Sequence, residues 1–297
     1  MDVKSAVSKI GYYTEGILEF AKNSESGQEK IWVIVESDDD CEVYGKFLLD
    51  DDNVKLRDSG CKEKGKNGQD GIRRGWERLE RLLNTYVSSL TIIGIRDKDY
   101  TPFLQQDSKL SNLFETDSRD LEMMMIKAGV LKRFLPDMIN GTALSDVLAV
   151  VYDHTRYLGY LRIMNDVKKL YCDFNGFLKM SHFWSQTTHS YDVNWKSNMT
   201  ANFVSHCPDQ VTEEQITQFI YDKNLSSCLV YDVCRGHDVV EHLSWNLVKN
   251  KYSKKVLKEE MKVAYTYTDF QATQLYKDLR SWERLNNRLI LHDSSPA

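Results

Sequence analysis

Three carboxylates follow short apolar segments of the chain and have the spacing expected of a divalent-cation site. Glu36 comes directly after Ile31–Val35, and Asp97 and Asp99 come shortly after Leu90–Ile95. In extended backbone, residues two apart project to the same side, so we expect Asp97 and Asp99 to face one crevice. Carboxylates that converge without a cation raise each other's pKa values. The pattern therefore predicts a Mg²⁺ or Mn²⁺ site, because these hard cations prefer oxygen ligands.

A second acidic group lies a short distance downstream, at Glu115, Asp117, Asp120 and Glu122. Glu122 precedes three consecutive methionines, so we expect it at the edge of the core, where a charged side chain needs a partner or a metal. Upstream, Asp40 lies four residues after Glu36 and can reach the same site from the first turn of the following helix. Asp38 and Asp39 are better explained as acids that stabilise the positive end of that helix.

These acids lie among elements that predict an α/β fold. Short apolar runs rich in β-branched residues predict buried strands at 31–35 and 90–95. We also expect short strands at 54–57 and 112–115. Apolar residues at helical spacing predict helices at 37–49, 72–86 and 118–134. We expect Thr116 or Asp117 to cap the last of these helices. The alternation of strands and helices along the chain predicts a parallel sheet. Such sheets bind ligands beyond the carboxyl ends of their strands.

The second half of the chain has a different pattern. Residues 137–224 and 255–292 predict helices with weak boundaries, and Gly236 opens another helix. Between these segments, Leu229–Tyr231 predicts a short return strand. No linker marks a clean cut, so this half is either a helical elaboration of the first domain or a second, helical domain.

The composition is that of an ordinary soluble globular protein. The chain has 297 residues, a formal net charge of −5 and 41% hydrophobic residues, with only 15 glycines and 4 prolines. These values exclude collagen-like, disordered and linker-rich classes. No apolar run approaches the roughly 20 residues that span a bilayer, and the N-terminal residues lack a signal-peptide pattern. Six cysteines without a CxxC pair indicate reduced thiols, so we expect a cytoplasmic protein that binds no membrane.

The acidic excess is concentrated in one segment. Residues 36–52 contain eight acidic side chains and one lysine, so the rest of the chain carries a small positive excess. Bases cluster at 60–81 and 245–262, although solvent-exposed helix faces explain such clusters as well as a nucleic-acid surface does. The net charge therefore does not exclude a nucleic-acid partner, but it does exclude a strongly basic, non-specific binder.

The order of these features resembles a known family. The chain is similar to the Toprim domain of topoisomerases, primases and overcoming-lysogenization-defect nucleases. The similarity lies in the order of its features, which are an apolar strand, Glu36, a helix, a second strand, a glycine-containing loop, a helix and a third strand before Asp97 and Asp99. The similarity covers residues 28–130. It departs from the family pattern at Ser37, where Toprim domains often have glycine.

The resemblance implies a metal-dependent nuclease, since neither a topoisomerase tyrosine domain nor a primase zinc module is evident. It implies that Glu36 acts as general acid and base, and as a metal ligand, while Asp97 and Asp99 hold Mg²⁺ or Mn²⁺. By similarity to two-metal members, Asp40 and Glu122 are predicted ligands of a second ion.

The loop after the second predicted strand contributes the predicted substrate-binding residues Lys62, Lys64 and Lys66. Their ammonium groups would hold substrate phosphates near the carboxylates. The predicted domain division is a Toprim-like catalytic domain at 1–135 and a mainly helical region at 136–297, which returns one strand near 228–232.

Two further segments resemble one bacterial branch of the family. Phe114–Glu122 and Arg235–Asp238 are similar to the Toprim effector of PARIS-type phage-defence systems, which works with an ABC-type ATPase and attacks tRNA once released. The expected partners are therefore a nucleic acid, either RNA such as tRNA or DNA, and an ABC-type ATPase subunit. A homodimer is left open.

Three alternatives to the nuclease hypothesis remain. Gly60–Asn67 approaches a P-loop, but the final Ser or Thr that would bind Mg²⁺ is Asn67. Asp97–Thr101 fits the DxDxT motif of haloacid-dehalogenase phosphatases, although the required late acidic pair has only the poorly spaced Asp232 and Asp238 as candidates. The third alternative is a catalytically inactive, Toprim-like interaction module.

Two clusters of the second half have structural explanations that we favour. Cys234, His237 and His242 could suggest zinc, but no fourth ligand has regular spacing, so His237 is better explained as a hydrogen-bonding residue at a helix start. Residues 171–195 are rich in aromatic side chains, which can stack on unpaired bases. Packing in a helical core explains them better.

Overall fold

A computed structural model gives the conformation of most of the chain. It describes residues 14–49, 52–59, 75–99, 101–104, 110–172, 174, 183–185, 188, 190–207, 211–247 and 252–293. Within these ranges, no helix has the length and hydropathy needed to cross a membrane.

Strands and helices alternate in the first part of the chain. They are α1 (Thr14–Lys22), α2 (Glu25–Gln28), β1 (Ile31–Val35), α3 (Asp38–Tyr44), β2 (Val54–Asp58), α4 (Gly75–Tyr86), β3 (Thr91–Arg96), α5 (Thr101–Leu104) and β4 (Leu113–Glu115). The four strands form one all-parallel sheet in the order β2-β1-β3-β4. The predicted parallel α/β sheet is confirmed, and each strand begins and ends within one residue of its predicted position.

The remainder of the chain is mainly helical, as predicted. Its elements are α6 (Leu121–Lys127), α7 (Leu131–Phe134), β5 (Met138–Ile139), β6 (Thr142–Ala143), α8 (Leu144–Lys168), β7 (Trp184–Ser185), β8 (Ser190–Tyr191), α9 (Trp195–His206), α10 (Glu213–Asp222), a 3₁₀ helix (Leu225–Ser227), α11 (Val230–Val233), α12 (Gly236–Asn246), α13 (Lys254–Ala264), α14 (Tyr267–Gln271) and α15 (Gln274–Asn286). The short strands form two antiparallel pairs, β5-β6 and β7-β8.

The chain divides into two compact units. Unit 1 consists of Met1–Asp97, Ser108–Asp117 and Thr266–Ala297, and unit 2 consists of Lys98–Asp107 and Ser118–Tyr265. The sheet and helices α14 and α15 therefore belong to unit 1. These unit boundaries differ from the predicted division of the chain after residue 135.

The predicted return strand near 228–232 is wrong, because Val230–Val233 forms helix α11. The amide of Cys234 donates to the carbonyl of Val230 at 2.8 Å, and that of Asp232 donates to Leu229 at 3.1 Å. A three-residue apolar run satisfies its backbone locally in this way and needs no strand partner.

The predicted helix at 118–134 is two helices, α6 and α7, separated by Gly129 with a positive φ of 79°. Its predicted cap at Thr116 or Asp117 is also wrong. Asp120 caps α6 instead, since its Oδ1 accepts a hydrogen bond from the amide of Met123 at 2.9 Å.

One face of the sheet in unit 1 packs against α1 and α4. Leu18 of α1 and Leu79 and Leu83 of α4 lie in one buried cluster with Trp32 of β1. Gly94 permits this close approach, because a Cβ at that position would lie 2.7 Å from Leu83 Cδ1. Every residue of β1 is buried, which is the pattern expected of a strand that is covered on both faces.

The core of unit 2 surrounds the long helix α8. Phe174 and Phe183 are buried there, and Tyr191 and Trp195 pack against the same cluster. Packing of the aromatic segment in a helical core is therefore confirmed for these four side chains. Tyr171 differs, since 83% of its surface is exposed.

Candidate functional site

The structure brings Glu36 and Asp97 together at one edge of the sheet in unit 1. Glu36 follows β1 and Asp97 follows β3, and these two strands are paired in parallel, with Val35 beside Ile95. Glu36 Oε1 accepts a hydrogen bond from the amide of Asp97 at 3.0 Å. Both residues are partly exposed. The two residues therefore meet at the carboxyl ends of adjacent strands, through the Glu36 carboxylate and the Asp97 backbone, and the convergence of their carboxylates stays a prediction.

The backbone around Glu36 is held by the neighbouring strand. The hydroxyl of Ser59 donates to the carbonyl of Glu36 at 3.0 Å, and the amide of Ser59 donates to Val35 at 2.7 Å. These contacts extend the pairing of β1 with β2 by one residue beyond each strand. The position of Glu36 is thus fixed by strands on both sides.

Asp40 acts as part of a helix cap. Its Oδ2 accepts hydrogen bonds from the amide of Ser37 at 2.9 Å and from the hydroxyl of Ser37 at 2.8 Å, while the Asp40 amide donates back to that hydroxyl. This reciprocal capping box begins α3. The expected capping by Ser37 is confirmed, whereas a metal role for Asp40 stays a prediction.

Asp99 lies in unit 2, and the extended backbone assumed from the sequence ends there. Its φ is 46°, in the left-handed region that aspartate tolerates better than most residues. Its amide donates to the carbonyl of Arg119 at 2.6 Å, and its carboxylate lies 3.7 Å from the guanidinium of Arg119. The assumption that extended backbone continues from β3 to Asp99 is therefore wrong, and a role of Asp99 beside Asp97 stays a prediction.

Glu122 belongs to a cluster of three ionisable side chains in unit 2, which we call the Glu122 cluster (Glu122, His237 and Lys258). Glu122 Oε1 lies 2.9 Å from Lys258 Nζ and 3.0 Å from His237 Nε2. Lys258 Nζ also lies 2.9 Å from His237 Nε2. The expected need of Glu122 for a partner is confirmed. A carboxylate, an imidazole and an amine in mutual contact are groups that serve in general acid–base chemistry.

A glycine lets the start of α12 approach the start of α6. A Cβ at Gly236 would lie 2.4 Å from Glu122 Cβ and 2.5 Å from Asp120 Oδ1. The amide of Gly236 donates to Asp120 Oδ2 at 2.8 Å. This contact brings His237, the next residue, to Glu122, so His237 is a hydrogen-bonding residue at a helix start, as expected.

Burial and charge act in opposite directions on the two acids of α6. Burial, followed by the adjacent charge of Glu122, raises the pKa of Asp120 to about 6. Burial alone would also raise the pKa of Glu122, but the hydrogen bonds and charges of His237 and Lys258 outweigh it and hold that pKa well below its usual range. Glu122 is therefore charged near neutral pH.

The remaining acids of the downstream group have structural partners within unit 1. Glu115 Oε1 accepts from the guanidinium of Arg96, which also contacts Glu80 at 2.6 Å. Asp117 accepts the amides of Gln274 at 2.7 Å and Leu275 at 2.9 Å. Glu115 thus neutralises a buried arginine, and Asp117 binds the first amides of α15.

Several predicted residues lie outside the described residues. These are the substrate-binding candidates Lys62, Lys64 and Lys66, together with the P-loop-like segment at 60–67. Their proposed roles stay predictions.

The zinc and phosphatase alternatives have little local support. Nδ1 of His242 lies 2.6 Å from the Tyr191 hydroxyl, and the Thr155 hydroxyl donates to the sulfur of Cys234. Asp232 lies in a helix rather than after a strand. Within the described ranges, no group of three or more His, Cys, Asp or Glu side chains is placed to hold a metal ion.

Lys258 is the site residue that sequence reasoning missed. It lies in a lysine-rich segment that solvent exposure explains equally well, yet its side chain is only 13% exposed. The signal was its position on α13, next to Leu257 and three residues before Met261, both fully buried. Lys258 thus lies at the edge of the apolar stripe of this helix.

Comparisons with protein-family models and with curated proteins give no match for this chain.

Proposed function

We propose that the protein is a Mg²⁺- or Mn²⁺-dependent nuclease with its reaction centre at the carboxyl ends of β1 and β3. The observation that carries the proposal is the hydrogen bond from the Asp97 amide to Glu36 Oε1 at 3.0 Å. It brings the Glu36 carboxylate to the backbone of Asp97, a residue distant in sequence, at the edge where parallel sheets bind ligands.

The acids at this strand edge are of the residue type that a small divalent cation prefers. Mg²⁺ usually keeps several water ligands and takes one or two protein carboxylates together with substrate phosphates. Asp97 would hold the cation, and Asp99, two residues later in the chain, is its predicted companion. When bound, the cation supplies stabilisation of the charge that develops on a phosphodiester during hydrolysis.

Glu36 has the position of a general acid and base. One of its oxygens accepts the Asp97 amide, which orients the carboxylate, and Ser59 fixes the backbone of Glu36. A carboxylate held in this way can accept a proton from the attacking water and return one to the leaving oxygen.

A single-ion site is the simpler form of the proposal. Asp40 and Glu122 remain the predicted ligands of a second ion, but both carboxylates already have partners. Asp40 accepts two hydrogen bonds from Ser37, and Glu122 lies against Lys258 and His237. A second ion would have to compete with those contacts.

The proposed substrate and partner rest on the sequence resemblance alone. The segments Phe114–Glu122 and Arg235–Asp238 support an RNA such as tRNA, or DNA, as substrate and an ABC-type ATPase as partner in anti-phage defence. Co-purification of the chain with such an ATPase would support this part of the proposal.

Substitution of Glu36 by glutamine tests the catalytic assignment. E36Q keeps the size of the side chain and an oxygen for the Asp97 amide but removes the acid, so cleavage of end-labelled RNA and DNA with Mg²⁺ should fall about 100-fold or more. Glu42, an exposed acid of α3, provides the matched control E42Q, which should cleave normally. Equal cleavage by E36Q and wild type would overturn the assignment.

An interaction module without catalytic activity is the second candidate. It is favoured by the structural use of several acids, since Asp40, Asp117 and Asp120 all accept backbone amides. This candidate predicts that wild-type protein cleaves neither RNA nor DNA with Mg²⁺ while it still binds an ATPase partner. A phosphatase would instead release phosphate from a phosphomonoester in an Asp97-dependent reaction.

A further inference from the structure

Helix α15 and the turn after it line an open groove of about 960 Å³ on unit 1. Four cationic side chains line it, Lys277, Arg280, Arg284 and Arg288. The first three lie at spacings of three and four residues and therefore share one face of the helix. Arg288 lies two residues after the end of the helix at Asn286.

Among the described residues that line this groove, the single acid is turned inward. The side chain of Glu283 is only 3% exposed, and its Oε2 lies 2.8 Å from the guanidinium of Arg280. Its Oε1 accepts the amides of Ile290 at 2.6 Å and Leu291 at 2.7 Å. Arg280 also lies 3.6 Å from the exposed carboxylate of Asp293. Glu283 and Asp293 therefore both offset the charge of Arg280, and the buried Glu283 carboxylate is not presented to the three exposed cations of the groove.

Three cations, Lys277, Arg284 and Arg288, are exposed at the groove. Helix stability explains the two arginines in part, because cations near a helix C-terminus interact favourably with its carbonyl groups. It does not explain Lys277, the fourth residue of α15, where the helix dipole disfavours positive charge. The three exposed cations line one groove, and their charge is complementary to that of an anionic partner.

The spacing of these cations fits a chain of phosphates. Lys277 and Arg284 are seven residues apart, which corresponds to about 10 Å along a helix axis. Phosphates of one nucleic-acid strand follow each other at about 3.4 Å along the duplex axis, so this distance spans about three of them. Arginine guanidinium groups can bind phosphate oxygens with two parallel hydrogen bonds.

We infer that the α15 groove, through Lys277, Arg284 and Arg288, binds the phosphodiester backbone of a nucleic acid. The inference deepens the proposed nuclease function, because it names a surface that would bind the substrate. The residues of this surface are distant in sequence from Glu36 and Asp97. The role of the groove in catalysis rests on the proposed nuclease function. Its binding of nucleic acid does not, since binding can be measured without cleavage.

The test compares two triple variants with the same change in charge. K277Q/R284Q/R288Q removes the exposed cations of the groove. K127Q/K132Q/K168Q removes three exposed lysines of unit 2 that lie outside it. Binding of fluorescent single-stranded RNA and duplex DNA oligonucleotides is measured by anisotropy in EDTA, between about 50 and 200 mM KCl, the range over which phosphate contacts weaken strongly.

The groove variant should lose about 10-fold or more in affinity at the lower salt concentration. Its salt dependence, as the slope of log K against log [KCl], should become shallower by about 2 for the single strand and about 3 for the duplex. The affinity of the unit 2 variant should stay within about 2-fold of wild type, and its salt slope should stay the same. Equal losses in both variants, or no loss in the groove variant, would overturn the inference. The single variant K277Q should lose about 2- to 5-fold in affinity. Because it leaves the arginines at the helix C-terminus unchanged, its loss cannot come from a folding defect there.

Two further measurements separate the possible causes of failure. Poly-glutamate should not displace the oligonucleotide at equal charge concentration, and displacement would identify an acidic protein segment as the occupant and contradict the inference. Binding is also measured with E36Q. Normal cleavage by E36Q together with lost binding by the groove variant would reject the proposed catalytic site but leave the groove assignment intact.

Discussion

Carboxylates with similar sequence surroundings have different environments in this protein. Glu36 and Asp97 lie at strand ends, contact each other and are partly exposed. Asp117 and Asp120 instead accept backbone amides at helix starts. The sequence drew attention to all of these acids, but it could not separate candidate ligands from capping residues, because both roles use the same short carboxylate.

Asp120 provides a prediction for the pH dependence of stability. Its pKa is raised from 3.8 to about 6, first by burial and then by the charge of Glu122. The folded protein therefore binds this proton more tightly than the unfolded chain does. The resulting stabilisation is fully present below about pH 4 and is lost as the pH rises through about 6.

The variant D120N isolates this effect, because asparagine does not titrate but keeps an oxygen that can accept an amide. The free energy of unfolding, measured in urea at each pH, should favour wild type over D120N less and less as the pH rises through this window. E122Q removes the neighbouring charge and should move the window to lower pH. A difference between wild type and D120N that stays constant or grows would contradict the prediction.

At the scale of elements, the sheet was predictable and several helix boundaries were not. The central strands β1 and β3 are short apolar runs bounded by polar residues, and burial on both faces imposes that pattern. The segment at 255–292 predicted one helix but contains three, because Thr266 caps α14 and Thr273 caps α15. Threonine is common in helices as well as at their starts, so its capping role depends on tertiary context.

The contact between α6 and α12 leads to a prediction at the same scale. G236A would place a Cβ 2.4 Å from Glu122 Cβ and 2.5 Å from Asp120 Oδ1. The two helix starts would have to separate, at a cost of about 1–3 kcal/mol in the free energy of unfolding. Urea denaturation measures this loss.

The neighbouring variant H237A is the control, since it removes a partner of Glu122 without adding an atom to the contact. It should destabilise the protein less than G236A does. If G236A is as stable as wild type, the close approach of α6 and α12 described here is incorrect.

At the scale of the whole molecule, unit 1 is assembled from separate stretches of the chain. Leu48 forms an antiparallel bridge with Leu291, and the amide of Leu49 donates to Ile290 at 2.8 Å. Phe47 stacks on Phe270 with ring centroids 4.7 Å apart. Composition and periodicity are local properties, so the sequence could not reveal that the C-terminal residues pack in the unit that contains the sheet.

The central claim is that Glu36 and Asp97 form a cation-dependent cleavage site, and the Mg²⁺ dependence of cleavage by D97N tests it most directly. Asparagine keeps the backbone amide that contacts Glu36 but removes the charge that would hold the cation. The Mg²⁺ concentration for half-maximal cleavage of an end-labelled oligonucleotide should rise about 10-fold or more in D97N, with the control E42Q unchanged. Identical Mg²⁺ titration curves for D97N and wild type would contradict the claim.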